Sequence, residues 1–200
     1  MTDLDIIIWE KFGILQHIIE KGEINMENTG KLKNMTLRIC MTALFMALNV
    51  IMSSFGLPVP GGHLYLNDVI ICVAAILLDP LSAFMVGGIG AFLGDFFFYP
   101  TPMFVSLVTH GLQAVVISFC AHGLLKHRPV QASAIGVALG AVIMVVGYSL
   151  GRAFIYSTPE YAIIKLPYQI LQAVVGAVAG VIICWKFRLV QYFKRVAEKR

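Results

Sequence analysis

The chain has 200 residues, of which 58% are hydrophobic and only 13% charged, and its mean hydropathy is +0.83. Soluble domains are about 25% charged, so these values exclude an ordinary soluble protein and point to a membrane protein of one compact domain. The net charge of +4 does not indicate nucleic acid, because the basic residues stand at segment ends and in the tail, where membrane topology wants them.

Residues 1–35 read as a polar or amphipathic leader. Leu4, Ile7, Ile8, Phe12, Leu15, Ile18 and Ile19 recur at helical spacing, with charged residues between them. That pattern predicts a helix lying on a membrane surface or on a partner. Met26 also opens a shorter polar leader, so the beginning of the chain has two readings.

Residues 36–186 read as six membrane-spanning helices. The first span covers 36–55. The Pro- and Gly-rich loop 56–63 follows and ends the helix. The second span, 64–78, is short for a bilayer that needs about 20 residues, so it is expected to be tilted or sheltered by neighbours. Asp79 caps the third span, 81–99, just before Pro80. The fourth covers 103–125, the fifth 132–155 and the sixth 166–185, with Glu160 and Lys165 read as solvated charges of the loop before it. Residues 187–200 form a basic tail. Cys40, Cys72, Cys120 and Cys184 are far apart in apolar segments and read as small buried hydrophobes, not a metal site or disulfide framework.

With six spans, Lys11, Lys21, Lys31, Lys33, Arg38, Lys126, Arg128, Lys186, Arg188, Lys194, Arg195, Lys199 and Arg200 share one side, and only Arg152 and Lys165 fall on the other. The positive-inside rule then puts both termini in the cytoplasm. The expected class is an all-α integral membrane protein whose outer face carries Asp95, His110 and Arg152. Small residues four apart recur at Ala43/Ala47, Gly90/Gly94, Gly136/Gly140, Gly147/Gly151 and Gly176/Gly180. Such pairs let helix backbones approach closely in lipid.

Polar groups at membrane depth are costly and mark ligand paths. The outer ends supply Asn67 and Asp68, Asp95 and Tyr99, Thr109 and His110, Tyr148 and Arg152, and Tyr168, Gln169 and Gln172. His110 lies seven residues past Met103, about 10 Å along a helix, inside the bundle mouth. Amide, imidazole, guanidinium and phenol groups among aromatics suit a flat heterocycle bearing hydroxyls. Each position also has a structural reading. Asp95 can pair with Arg152, His110 can bond between helices, and Asn67 and Asp68 can cap the second helix. His63 reads as an exposed loop residue, on a loop able to fold over a ligand. There is no P-loop, HExxH or nucleophile elbow, the five histidines are scattered, and no metal or cofactor is called for. No repeat of broken helices is visible, which weighs against the common secondary transporters.

Taken in order, Gly90-x-x-x-Gly94-Asp95, the aromatic run, Tyr99-Pro100 and His110-Gly111-Leu112 resemble the substrate-binding S components of energy-coupling-factor (ECF) vitamin importers. The branch is the one with riboflavin-, hydroxymethylpyrimidine- and pyridoxine-type members. Gly147-Tyr148 with Ala153-Phe154-Ile155-Tyr156 is similar to the family's fifth helix, and Pro167-x-x-x-x-Gln172-x-x-x-Gly176 to its sixth. Ala43 and Ala47 match the small-residue motif with which the first helix contacts the transmembrane T subunit.

The resemblance implies a subunit of the prokaryotic cell membrane that captures a water-soluble vitamin or precursor at its outer mouth. A hydroxymethylpyrimidine- or pyridoxine-like heterocycle is favoured. ATP hydrolysis then belongs to two partner ATPases joined to the T subunit, and this chain is not an enzyme. The ligand contacts implied are Asn67, Asp68, Asp95, Tyr99, His110, Tyr148, Arg152, Tyr168, Gln169 and Gln172. Relatives often carry Lys where His110 stands and an acid where Arg152 stands, so the vitamin does not carry over. Arg152 with His110 would favour a carbonyl, phenolate, carboxylate or phosphate on the cargo. The alternatives are a self-sufficient secondary carrier or channel, and a small membrane enzyme using Asp95 and His110 as an acid–base pair.

Overall fold

The computed structural model describes residues 35–60, 62–125 and 127–198, so the helix expected over 3–21 lies outside the described residues. The chain runs through α1 (Met35–Ser53), a hairpin of β1 (Leu57–Val59) and β2 (Gly62–Leu64), and α2 (Asn67–Leu77). It continues through α3 (Pro80–Phe98), α4 (Met103–Gly123), α5 (Pro129–Tyr156) and α6 (Pro159–Lys186), and the described part ends with α7 (Leu189–Glu198). Five of these helices, α1 and α3 to α6, are long and apolar enough to cross a membrane.

The six spans expected from sequence thus become five and a shorter apolar helix. The 11 residues of α2 rise about 16 Å, roughly half of a ~30 Å hydrocarbon core. The difference lies in residues 57–64. They fold back as an antiparallel hairpin in which Leu57 pairs with Leu64 and Val59 with Gly62, and Gly62 takes a φ of +140° that side chains rarely adopt. What α2 lacks in length it makes up in burial. Ile71, Cys72, Val73, Ala74 and Ala75 are all buried at the centre of the bundle. The α6 backbone comes so close to α2 that a Cβ on Gly176 would sit 2.6 Å from Asp68 Cβ, and one on Gly180 2.6 Å from Cys72 Cβ.

Helix α1 is the least enclosed. Phe45, Asn49 and Ser53, each four residues apart, are its buried stripe, whereas Ile39, Leu44, Leu48 and Ile51 are exposed. The stripe meets α3 at the Gly90/Gly94 pair, where an added Cβ would lie 2.8 Å from Asn49 Nδ2 and 2.5 Å from Ser53 Oγ. Asn49 Nδ2 donates to the Val86 carbonyl at 2.7 Å. Val86 belongs to a π-helical turn, Met85–Ile89, whose wider winding disturbs the regular ladder and leaves carbonyls open to outside donors. Ala43 and Ala47 lie on the exposed side of α1.

Asp79 caps α3 as expected, accepting from the Ser82 backbone N–H at 3.4 Å and its hydroxyl at 2.7 Å, with Arg38 Nη1 3.7 Å away. Partial burial pushes the Asp79 pKa up, but these bonds and the Arg38 charge outweigh it and leave it below the ordinary carboxylate value. Three sequence expectations need correction. Helix α6 begins at Pro159, not near 166, and carries Pro167 inside it. Lys165 is therefore a helix residue, and it is buried, not a solvated loop charge. Cys40 is exposed, although Cys72, Cys120 and Cys184 are buried. The basic tail is helical over α7. Around the bundle, Phe96, Phe97, Phe104, Phe119, Phe154 and Ile155 are exposed, as lipid-facing positions are when the solvent is hydrocarbon.

Candidate functional site

The α1–α2, α3–α4 and α5–α6 connections contribute to one cavity of ≈ 380 Å³ at one end of the bundle. The hairpin side supplies Gly62, His63, Tyr65 and Asn67, and α3 with the turn after it supplies Asp95, Tyr99 and Pro102. His110 comes from α4. Met144, Tyr148, Arg152 and Tyr156 come from α5, and Tyr161, Gln169 and Gln172 from α6, with Ser157 between the two. Besides Gly62, Pro102, Met144 and Ser157, the lining is therefore five phenols, two imidazoles, two primary amides of glutamine, an asparagine, one acid and one guanidinium.

Three hydrogen-bonded groups hold these side chains. Asp95 accepts from the Ser106 hydroxyl, which also bonds the Tyr148 hydroxyl, so the acid, the α4 serine and the α5 phenol form one unit. The Tyr148 ring also meets the His110 ring edge-on, 5.1 Å between centroids. Arg152 donates through Nε and Nη2 to the Tyr156 hydroxyl at 3.3 and 3.2 Å, and its guanidinium lies 5.7 Å from the centre of that ring. The third group is centred on Asp68. It accepts from Gln172 Nε2 at 2.6 Å and from Gln113 Nε2 at 3.1 Å, and Gln113 Oε1 lies 2.7 Å from His110 Nδ1.

The hairpin closes over the cavity and is tied down from α6. Lys165 Nζ donates to the His63 carbonyl, and the Tyr65 backbone N–H donates to Gln172 Oε1 at 3.0 Å. The His63 ring stands 6.2 Å from both the Tyr65 and Tyr99 rings. Burial, then the charges of Asp95 and Tyr99, push the Tyr65 pKa up to about 12, so its hydroxyl keeps its proton at any physiological pH. Gln169 Nε2 donates to the Val145 and Met144 carbonyls at 2.7 and 3.4 Å, fixing α6 against α5. Asn67 Oδ1 is buried with no partner among the described residues.

Most of the residues singled out from sequence meet here. Asn67, Asp95, Tyr99, His110, Tyr148, Arg152, Gln169 and Gln172 line the cavity. Asp68 does not line it; it lies behind the wall, 1% exposed. Neither Asn67 nor Asp68 caps α2, whose N-cap is Leu66. Tyr168 is off the cavity, because one residue of helix turns its side chain about 100° away from Gln169. Tyr65, Met144, Tyr156, Ser157 and Tyr161 join the lining without having been picked out, and His63 is part of it. A signal for some of them was present. Tyr148, Arg152 and Tyr156 are four apart, and Tyr161, Lys165, Gln169 and Gln172 follow the same helical spacing. Ser106 and Gln113, which orient the lining from behind, stand four residues before and three after His110, the same helical spacing, although neither was picked out. Among the described residues no group of His, Cys, Asp or Glu is arranged to hold a metal ion.

A bundle of apolar helices with a polar, aromatic cavity under a hairpin at one end defines a membrane protein built to hold a small polar molecule. Residues 33–189 match the family model described as the ECF-type riboflavin transporter, S component, and the chain belongs to this family. It is thereby a vitamin-binding subunit of an ECF transporter and a multi-pass plasma-membrane protein, not an enzyme. Membership implies association with T and ATPase subunits. The chain is also 31% identical over 126 residues to a Pyrococcus woesei protein described as an uncharacterized protein in gap 3'region, covering 62% of this chain and 82% of that one.

Proposed function

We propose that this chain captures a flat, polar vitamin or vitamin precursor at the extracellular mouth of an ECF importer. A T subunit and two ATPases then drive release inward. The observation that carries the cargo class is the cavity itself. Its phenol and imidazole rings offer stacking faces, and amides, an acid and a guanidinium stand between them. Its ≈ 380 Å³ lies at the small end of ligand pockets, about 300–1,000 Å³. A one-ring pyridine or pyrimidine carrying hydroxymethyl groups suits that volume and polarity. The external placement rests on the excess of Lys and Arg at the other end of the helices.

A second reading, riboflavin as cargo, is favoured by the description of the matched family. Its tricyclic ring and ribityl chain would have to fill the whole cavity. Mass spectrometry of the small molecule released from purified protein separates the two. A hydroxylated pyridine or pyrimidine is the expected result, and riboflavin would establish the second reading. Retention of only lipid, together with solute uptake by the chain alone in proteoliposomes, would instead point to a self-sufficient carrier.

A further inference from the structure

The polar residues behind the cavity form a chain with a direction. Asp68 Oδ1 accepts from Gln113 Nε2 at 3.1 Å and Oδ2 from Gln172 Nε2 at 2.6 Å. A carboxylate only accepts, so each glutamine turns its NH2 toward Asp68 and its oxygen away. The far end of Gln172 agrees independently, since its Oε1 receives the Tyr65 backbone N–H at 3.0 Å, a group that only donates. The far end of Gln113, its Oε1, lies 2.7 Å from His110 Nδ1. An acceptor at that place requires the hydrogen on Nδ1. A neutral imidazole carries one ring hydrogen, so Nε2 then bears a lone pair. His110 lines the cavity, and Nδ1 is the ring nitrogen that faces Gln113 and Asp68. Asp68 Oδ1 itself is 3.7 Å from Nδ1, too far for a hydrogen bond, so the coupling runs through Gln113.

We infer that Asp68 is a positioning residue. Through Gln113 it holds His110 as the Nδ1–H tautomer, so the cavity presents a hydrogen-bond acceptor at Nε2 and selects cargo with an N–H or O–H donor there. This rests on the cavity being the cargo site. A hydroxyl or amino group on the heterocycle meets that acceptor. A carbonyl or carboxylate placed against His110, which its charge type alone would favour, meets a lone pair instead. The same carboxylate also aims Gln172 at the hairpin backbone, so one buried acid sets both the polarity of the wall and a tie to its cover.

Labelling histidine rings with the heavy nitrogen isotope reads the tautomer by NMR in the purified protein, with His110→Gln identifying the signal. The expected spectrum shows a protonated Nδ1 and a bare Nε2. A protonated Nε2, alone or together with Nδ1, overturns the inference. In Asp68→Asn the new amide is free to offer its NH2 and turn Gln113 around, so Nε2–H is expected to gain population. In Gln113→Leu, which leaves Asp68 and Gln172 in place, the tautomer preference is expected to vanish. An unchanged Nδ1–H signal in a folded variant of either kind overturns the relay. Pyridoxine and riboflavin serve as binding probes. Whichever one the wild type binds should bind Asp68→Asn about tenfold more weakly, as for one lost hydrogen bond, and equal affinity overturns the selection. If neither binds while the Nδ1–H tautomer is found, the role of Asp68 in orienting His110 stands and the cargo reading fails.

Discussion

Lys165 donates its ammonium hydrogen to the His63 carbonyl from a side chain only 3% exposed. A buried cation without an acceptor is costly, so this bond both satisfies the lysine and fastens the hairpin to α6. Lys165→Met keeps the apolar length and removes the donor. Bound cargo should then dissociate several-fold faster while the thermal midpoint changes little. A dissociation rate equal to that of the wild type would show that the Gln172–Tyr65 bond alone holds the cover. In the sequence this lysine reads as a loop charge, because Pro167 two residues later looks like a helix start. Its burial follows from α6 beginning at Pro159 and from the hairpin folding onto it. Asp95, His110 and Arg152 were legible for the opposite reason, since an ionisable group in an apolar segment stands out whatever its neighbours. Gln113 and Ser106 share a helix face with His110, but their role lies in which atoms face them, and spacing does not give that.

At the scale of elements, the glycine pairs were visible as spacing but not as contacts. Gly90 and Gly94 seat α1 on α3, with Asn49 and Ser53 filling the space that side chains would occupy. Gly94→Val would put its Cβ only 2.5 Å from Ser53 Oγ. We expect it to push α1 off and destabilise the bundle by about 1–3 kcal/mol, as overpacking does. Thermal unfolding in detergent measures it, and a variant as stable as wild type would mean that α1 does not rest on this face. The π-helical turns at Met85–Ile89 and Arg152–Tyr156 have no signature in composition. The second helix was legible only in part. Its apolar run was plain, but Leu64 belongs to a strand, because the preceding prolines and glycines favour a turn that brings the chain back on itself.

On the scale of the whole molecule, Ala43 and Ala47 lie exposed on α1, on a helix with a single buried stripe. As the docking face for a T subunit, small side chains there would let two backbones approach. Ala43→Trp with Ala47→Trp should abolish uptake by the complete transporter and leave cargo binding by the isolated chain intact. Loss of binding as well would make α1 a folding or pocket element instead. The sequence by itself determined the membrane class, the long apolar helices and the family, because hydropathy and order of motifs are properties of the chain alone. Only the tertiary structure decided that α2 is a short central helix, that the hairpin covers the cavity, that Tyr65, Tyr156 and Tyr161 belong to its lining, and that Asp68 works from behind it. Those facts depend on which faces of distant segments meet, and spacing along one helix fixes a face without saying what it will face.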